Sequence, residues 1–104
     1  MNHLIIDTSN NQEILVGLQI GEKRDIIKQK IGKQKTQVVL GLIDRLLKKH
    51  NISFEDISDI KVNEGPGSFT GLRVGISIAN AFSYALKIPV NGKKQEYFVD
   101  AKYK

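Results

Sequence analysis

Cysteine and tryptophan are both absent from the 104 residues. Without cysteine there are no disulfides, no thiol nucleophiles and no cysteine-ligated metal centres, and a reducing compartment fits. Histidine occurs only as His3 and His50, too few and too far apart for a zinc centre, and there is no His-x-x-x-His. No apolar run approaches the ~18 residues of a membrane span. The opening Met1-Asn2-His3-Leu4-Ile5-Ile6-Asp7 lacks the basic segment and long apolar stretch of a secretory leader. These absences lead to the expectation of a cytoplasmic protein with no membrane association and no metal. Acidic residues are outnumbered, 11 against 16 Lys and Arg, for a net charge of +5. The lysines are scattered, so the surface reads as basic and solvated, with attraction to an RNA-containing partner as the alternative.

The length suits one domain with a single core and is too short for two lobes with a cleft between them. Leu4-Ile5-Ile6 is wholly apolar, as expected of a central strand buried on both faces, and Asp7-Thr8-Ser9-Asn10-Asn11 ends it with turn-forming residues. Ile14 to Ile20 and Ile26 to Ile31, joined by the turn Gly21-Glu22-Lys23, complete a three-strand meander that Gly32 breaks. From Gln34 to His50, Val38, Val39, Leu42, Ile43, Leu46 and Leu47 recur at helical spacing, with Thr36 as expected N-cap and Asn51 as left-handed terminator. Ser53-Phe54-Glu55-Asp56 reads as a capped turn before the strand Asp59 to Asn63. A second helix presents Leu72, Ile76, Ala79, Phe82, Ala85 and Leu86 until Pro89 stops it. Ile88 to Val90 is expected as a brief parallel strand, Asn91-Gly92 as a turn, and Tyr97-Phe98-Val99 as a last strand or docking tail.

Between the fourth strand and the second helix lies the most informative stretch, Gly65-Pro66-Gly67-Ser68-Phe69-Thr70-Gly71-Leu72-Arg73-Val74-Gly75. Glycines at a strand-to-helix turn let an anion or another backbone approach unpaired helix amides. The spacing fits neither familiar phosphate loop. A Walker A loop needs Gly-Lys-Ser/Thr where this chain has Gly71-Leu72, and the dinucleotide fingerprint needs its third glycine one residue earlier. Gly67, Gly71, Gly75 and Ala79 recur every four residues, a ridge of small side chains suited to close helix packing. Ser68 and Thr70 read as helix caps. Arg73, in the first turn, is a candidate for a phosphate or a partner's carboxylate, or a solvated side chain.

The element order is that of a ribonuclease H-like, actin-like lobe: an α/β fold with a mixed sheet, a three-strand antiparallel meander followed by helix, strand, helix, strand. Leu4-Ile5-Ile6-Asp7-Thr8-Ser9, Leu42-Ile43-Asp44-Arg45-Leu46-Leu47, Gly65 to Gly75 and Ala85-Leu86-Lys87-Ile88-Pro89-Val90 resemble the TsaB (YeaZ) family. Its members are bacterial partner proteins of the enzyme that makes N6-threonylcarbamoyladenosine in tRNA. The resemblance covers residues 3 to 92, and Gly-Pro-Gly-Ser-Phe-Thr-Gly-Leu-Arg is a specific string. It implies a paralogue of the catalytic subunit TsaD, without nucleotide or metal chemistry and without a cofactor. Such a protein binds a TsaD-like catalytic subunit, forms a homodimer alone, and meets tRNA only through the complex. It also implies an interface on the two long helices, with Leu42, Ile43, Leu46, Gly67, Gly71, Leu72, Gly75, Ile76 and Ala79 as candidates, although roughly half of these are expected to serve only the core.

Two features depart from the family. Lys35-Thr36-Gln37 stands where members commonly carry a His-Ser pair, and the sequence ends about where a second lobe of similar fold is expected to begin, so a one-lobe version, natural or truncated, is expected. Residues 1–92 are therefore expected to form one lobe and 93–104 a strand or tail, in which Tyr97 to Lys102 faintly resembles the second lobe's first strand. A single lobe cannot enclose the nucleotide that actin-like proteins hold between two, which points away from catalysis. Asp7, Thr8 and Ser9 keep the general shape of a nucleotide or metal motif, with capping and turn formation as the plainer reading. A competing expectation is a metal-dependent nuclease built on Asp7, Glu64 and Asp44, and a third is direct tRNA binding through the basic surface. A serine nucleophile is disfavoured because no histidine lies nearby in sequence.

Overall fold

The computed structural model describes residues 1–30 and 34–93. Short apolar runs bounded by turn residues place β1 (Asn2–Asp7), β2 (Glu13–Ile20) and β3 (Lys23–Lys30) in an antiparallel meander. Gly21, at φ 59°, makes the tight turn between β2 and β3, where a side chain would be strained. β4 (Asp59–Val62) then pairs parallel to β1, so the sheet order is β3-β2-β1-β4.

Both helices lie on one face. Leu4 and Ile6 of β1, Ile14, Val16 and Leu18 of β2, and Ile60 and Val62 of β4 point into the core. There they meet Val39, Leu42, Ile43, Leu46 and Leu47 of α1 (Lys35–Lys49) and Leu72, Ile76 and Ala79 of α2 (Phe69–Leu86). α1 lies over β2, while α2 lies over β1 and β4. Among the described residues no helix covers the opposite face, where Ile5, Gly17 and Ile26 align across three strands and Ile26 is exposed. The expectation that β1 is buried on both faces holds only for its inner side, since Ile5 is half-buried.

Helix ends differ from expectation in informative ways. Gln34, in a left-handed conformation at φ 61°, precedes α1 without a side-chain cap, and Thr36 lies inside the helix. Two basic residues, Lys48 and Lys49, end it in accord with the helix dipole, and Asn51 turns left-handed at φ 53° as expected. Ser53 and Asp56 then form a reciprocal capping box around a short 3-10 turn, Phe54–Asp56. The expected strand at Ile88 to Val90 is reduced to a single parallel bridge between Val90 and Ile60.

Asn91 explains why that strand stops. It turns left-handed at φ 49°, and its side-chain amide takes the place of the next peptide. Its Oδ1 accepts from the Val62 amide at 2.9 Å, and its Nδ2 donates to the Val62 carbonyl at 2.8 Å and to Glu64 Oε2 at 2.6 Å. The Asn91-Gly92 turn is as expected, with Gly92 at φ 80°. The expected strand at Tyr97 to Val99, the 94–104 part of the tail, and the break at Gly32 lie outside the described residues.

Candidate functional site

The glycine turn is built against the end of β1. Gly65, at φ 123°, enters a cis peptide bond to Pro66, and its amide is held by Asn63 Oδ1 at 2.9 Å. The Ser68 amide donates to the Ser9 carbonyl at 2.8 Å. α2 then starts, its Gly71 amide capped by the Ser68 hydroxyl at 3.3 Å. Ser68 caps the helix as expected, whereas Thr70 is a helical residue with an exposed side chain.

The glycine ridge packs on a strand end, and the expectation of an interhelical contact is corrected here. A Cβ on Gly67 would lie 2.6 Å from Ser9 Cβ, one on Gly75 would lie 2.5 Å from Thr8 Oγ1, and one on Gly71 would collide with the Thr8 carbonyl. Thr8, only 1% exposed, donates its hydroxyl to the Gly71 carbonyl and accepts from the Gly75 amide at 3.0 Å. It is a strut between β1 and α2, with no surface to offer a ligand. The remaining expected interface residues follow the same logic. Leu42, Ile43, Leu46, Leu72, Ile76 and Ala79 are all buried, because the apolar face that covers the sheet is the one they occupy.

Asp7 and Ser9 form a tight side-chain turn, Asp7 Oδ1 accepting from the Ser9 amide at 2.9 Å and the Ser9 hydroxyl at 2.6 Å. Burial acts to raise the Asp7 pKa, but the hydrogen bonds from the Ser9 hydroxyl, the Ser9 amide and Asn63 outweigh it, leaving the carboxyl below its ordinary value. With Asn10, Glu13, Leu15 and Lys28, these two residues line an open polar hollow of about 270 Å³. The three carboxylates expected of a nuclease are not brought together. Glu64 is engaged by Asn91, and Asp44 sits exposed on α1 with Lys48 at 3.0 Å. Among the described residues no three metal-ligating side chains converge. Each histidine faces a carboxylate, His3 against Asp59 and His50 against Asp25.

The surface that does gather apolar side chains is the outer side of the helix pair. α2 carries a single charge, Arg73, in 18 residues, which is unusual for a helix with one face in solvent. Phe69 is 57% exposed and Tyr84 70%, and on α1 Leu40 is 42% exposed. A shallow groove of about 550 Å³ runs along α2, lined by Thr36, Phe69, Thr70, Arg73, Val74, Ser77, Ile78 and Ala81. Arg73 lies over the Phe69 ring, 5.0 Å from its centroid. Gly41, on the exposed side of α1, has open space where a Cβ would sit. A bare glycine in mid-helix costs roughly 1 kcal/mol relative to alanine, so neither propensity nor internal packing accounts for it.

Of the expected site residues, only Phe69, Thr70 and Arg73 line this groove. Val74, Ser77, Ile78 and Ala81 in the groove, and the exposed Leu40 on α1, are not among the expected site residues. Their signal in the sequence is the near-absence of charge around α2, since a helix that keeps one polar face carries a single apolar stripe.

A model of the family described as "TsaD: tRNA N6-adenosine threonylcarbamoyltransferase" matches residues 21–92. The chain is 32% identical over 87 residues to the tRNA threonylcarbamoyladenosine biosynthesis protein TsaB of Haemophilus influenzae, covering 84% of this chain and 36% of that protein. It is 31% identical over 94 residues to TsaB of Bacillus subtilis, 88% of this chain and 40% of that protein. Among solved structures, YeaZ from Pseudomonas aeruginosa superimposes with a TM-score of 0.80 at 27% identity, over 86% of this chain and 41% of that one. The chain thus spans 24–41% of the length of the TsaB proteins it matches.

Proposed function

This chain belongs to the TsaB (YeaZ) family, within the wider TsaD family, and from that premise we propose that it is a non-catalytic scaffold in tRNA N6-threonylcarbamoyladenosine biosynthesis. It has the form of one ribonuclease H-like, actin-like lobe, and it docks a TsaD-like catalytic subunit through the outer faces of α1 and α2. The observation that carries this reading is the groove along α2, an apolar surface beside the nearly uncharged helix. Exposed aromatic side chains around a shallow apolar groove are the usual composition of an interface centre. tRNA is reached through the complex.

The test is binding of the TsaD-like subunit of the same organism, measured by calorimetry, with Phe69→Asp and Ala81→Asp as lesions. Both positions are exposed, so both variants are expected to fold. Each should weaken binding by about tenfold or more, the effect of placing an unpaired charge in an interface core. No binding by the parent chain, or unchanged binding by both folded variants, would refute the proposal.

A further inference from the structure

β3 reaches past the helix layer. α1 lies over β2, and none of the β3 residues is buried. Leu18 pairs with Asp25 and Ile20 with Lys23, so Asp25 and Lys23 share the face of the sheet on which the helices lie. Past the last turn of α1 this leaves a hollow of about 560 Å³, lined by Leu18, Ile20, Lys23, Arg24, Asp25 and His50. It shares no residue with the groove along α2 and stands apart from subunit docking. Its polar groups are fixed by their neighbours. Asp25 Oδ2 accepts from Lys49 Nζ at 2.8 Å and from His50 Nε2 at 2.9 Å. The Lys49 hydrogen bond first, and then that of His50, hold the Asp25 carboxyl below its ordinary value. Arg24 Nη2 donates to Gln19 Oε1 at 2.9 Å, and Gln19 Nε2 donates to the Gly21 carbonyl at 3.2 Å. The Asp25 charge is thus already answered, whereas among the described residues Lys23 and Arg24 take part in no ion pair. The charge left over in the hollow is positive, and the rest of its lining, Leu18 and Ile20, is apolar.

We infer that this hollow binds a small ligand with an apolar body and an anionic end, the body against Leu18 and Ile20 and the anion at Lys23 and Arg24. Its volume and its composition, an apolar wall with a few charged groups beside it, are those of small-molecule sites. The body would cover Ile20, which the helices leave half-buried. The anion would meet a guanidinium already steadied by Gln19 through one nitrogen, so little side-chain freedom is lost and further N–H groups remain to donate. Neither half of such a ligand suffices alone. Lys23 and Arg24 are exposed, and a bare anion beside exposed cations is screened by water and salt. An uncharged body gains only the contact with Leu18 and Ile20.

The test is a titration of the full, isotope-labelled chain with phenyl phosphate, read from amide chemical shifts, with inorganic phosphate and phenol as the two halves of the probe. Phenyl phosphate should shift the amides of Leu18, Ile20, Lys23, Arg24 and His50 saturably, with a Kd on the order of 1 mM for a ligand of its size. Each half alone should bind at least about tenfold more weakly. Lys23→Glu and Arg24→Glu change exposed side chains, so both variants are expected to fold. Each should weaken phenyl phosphate binding by about 3- to 10-fold, the scale of reversing a charge in a solvent-exposed pair. Four results would overturn the assignment: no saturation at about ten times the expected Kd; shifts confined to Phe69 to Ala81; binding of phosphate or phenol as tight as that of phenyl phosphate; or parental affinity in the folded Lys23→Glu, Arg24→Glu double variant.

Discussion

Replacing Gly71 by alanine adds one methyl group, and the structure gives it nowhere to go. The new Cβ would overlap the Thr8 carbonyl, at a distance real Cβ atoms essentially never adopt, and the obstacle is backbone that cannot rotate aside. The start of α2 would have to withdraw by about 1 Å to restore ordinary contact. That movement opens the two hydrogen bonds of the buried Thr8 hydroxyl, one to the Gly71 carbonyl and one from the Gly75 amide. Overpacking costs ~1–3 kcal/mol, the two weakened hydrogen bonds ~1 kcal/mol each, and the better helix propensity of alanine returns ~1 kcal/mol. The net loss is ~2–4 kcal/mol, a fall in Tm on the order of 10–25 °C for a domain of this size. Gly41→Ala is the internal control, since the same methyl on α1 meets open space and should stabilise by ~0.5–1 kcal/mol. Urea unfolding followed by far-UV circular dichroism measures both. A Gly71→Ala protein within ~0.5 kcal/mol of the parent would refute the view that this glycine exists for the approach of α2 to β1.

Acid stability should depend on Ser9. Because the folded Asp7 pKa lies below its unfolded value of 3.8, its contribution is fully present above that value and lost as pH falls through the lowered folded value. Ser9→Ala removes the hydroxyl donor, so Asp7 should titrate at higher pH and acid unfolding should begin earlier; an unchanged Asp7 carboxyl titration by NMR would contradict this. Asn91→Asp keeps the shape and the tolerated left-handed backbone but loses the donor to Val62 and faces Glu64 with a second carboxylate. It should destabilise by ~1–3 kcal/mol at neutral pH and by less in acid, where protonation restores a donor, and a pH-independent effect would count against the assigned geometry.

Most of the fold was legible because each element carried its own period. The short apolar runs of β1 and β2, the helical recurrence from Val38 to Leu47, and the turn residues Gly21, Asn51 and Asn91 are local signals, and the structure follows them. What could not be read locally was which neighbour each surface would meet. The four-residue glycine recurrence correctly announced close packing, yet its partner is Thr8 and Ser9, some sixty positions earlier in the chain. The apolar residues expected at an interface lie in the core for a related reason. Hydrophobicity selects residues that leave water, and Leu42 and Leu72 leave it for the sheet, whereas Phe69 and Leu40 remain outside. The Ile88 to Val90 strand was overestimated because a side-chain amide can replace a peptide at a sheet edge, which composition does not reveal.

The Asn91-Gly92 step gives the molecule a chemical age. Asparagine followed by glycine is prone to lose its amide, because the following backbone nitrogen can attack the side-chain carbonyl without hindrance. In the folded chain that carbonyl is held on the Val62 amide and its nitrogen on Val62 and Glu64, so the reaction is restrained for as long as the edge of β4 stays closed. Each opening exposes the group, and each lost amide makes the next opening easier. Stored protein should therefore accumulate a slightly more acidic, less stable form, at a rate set by how often this one corner of the sheet comes apart.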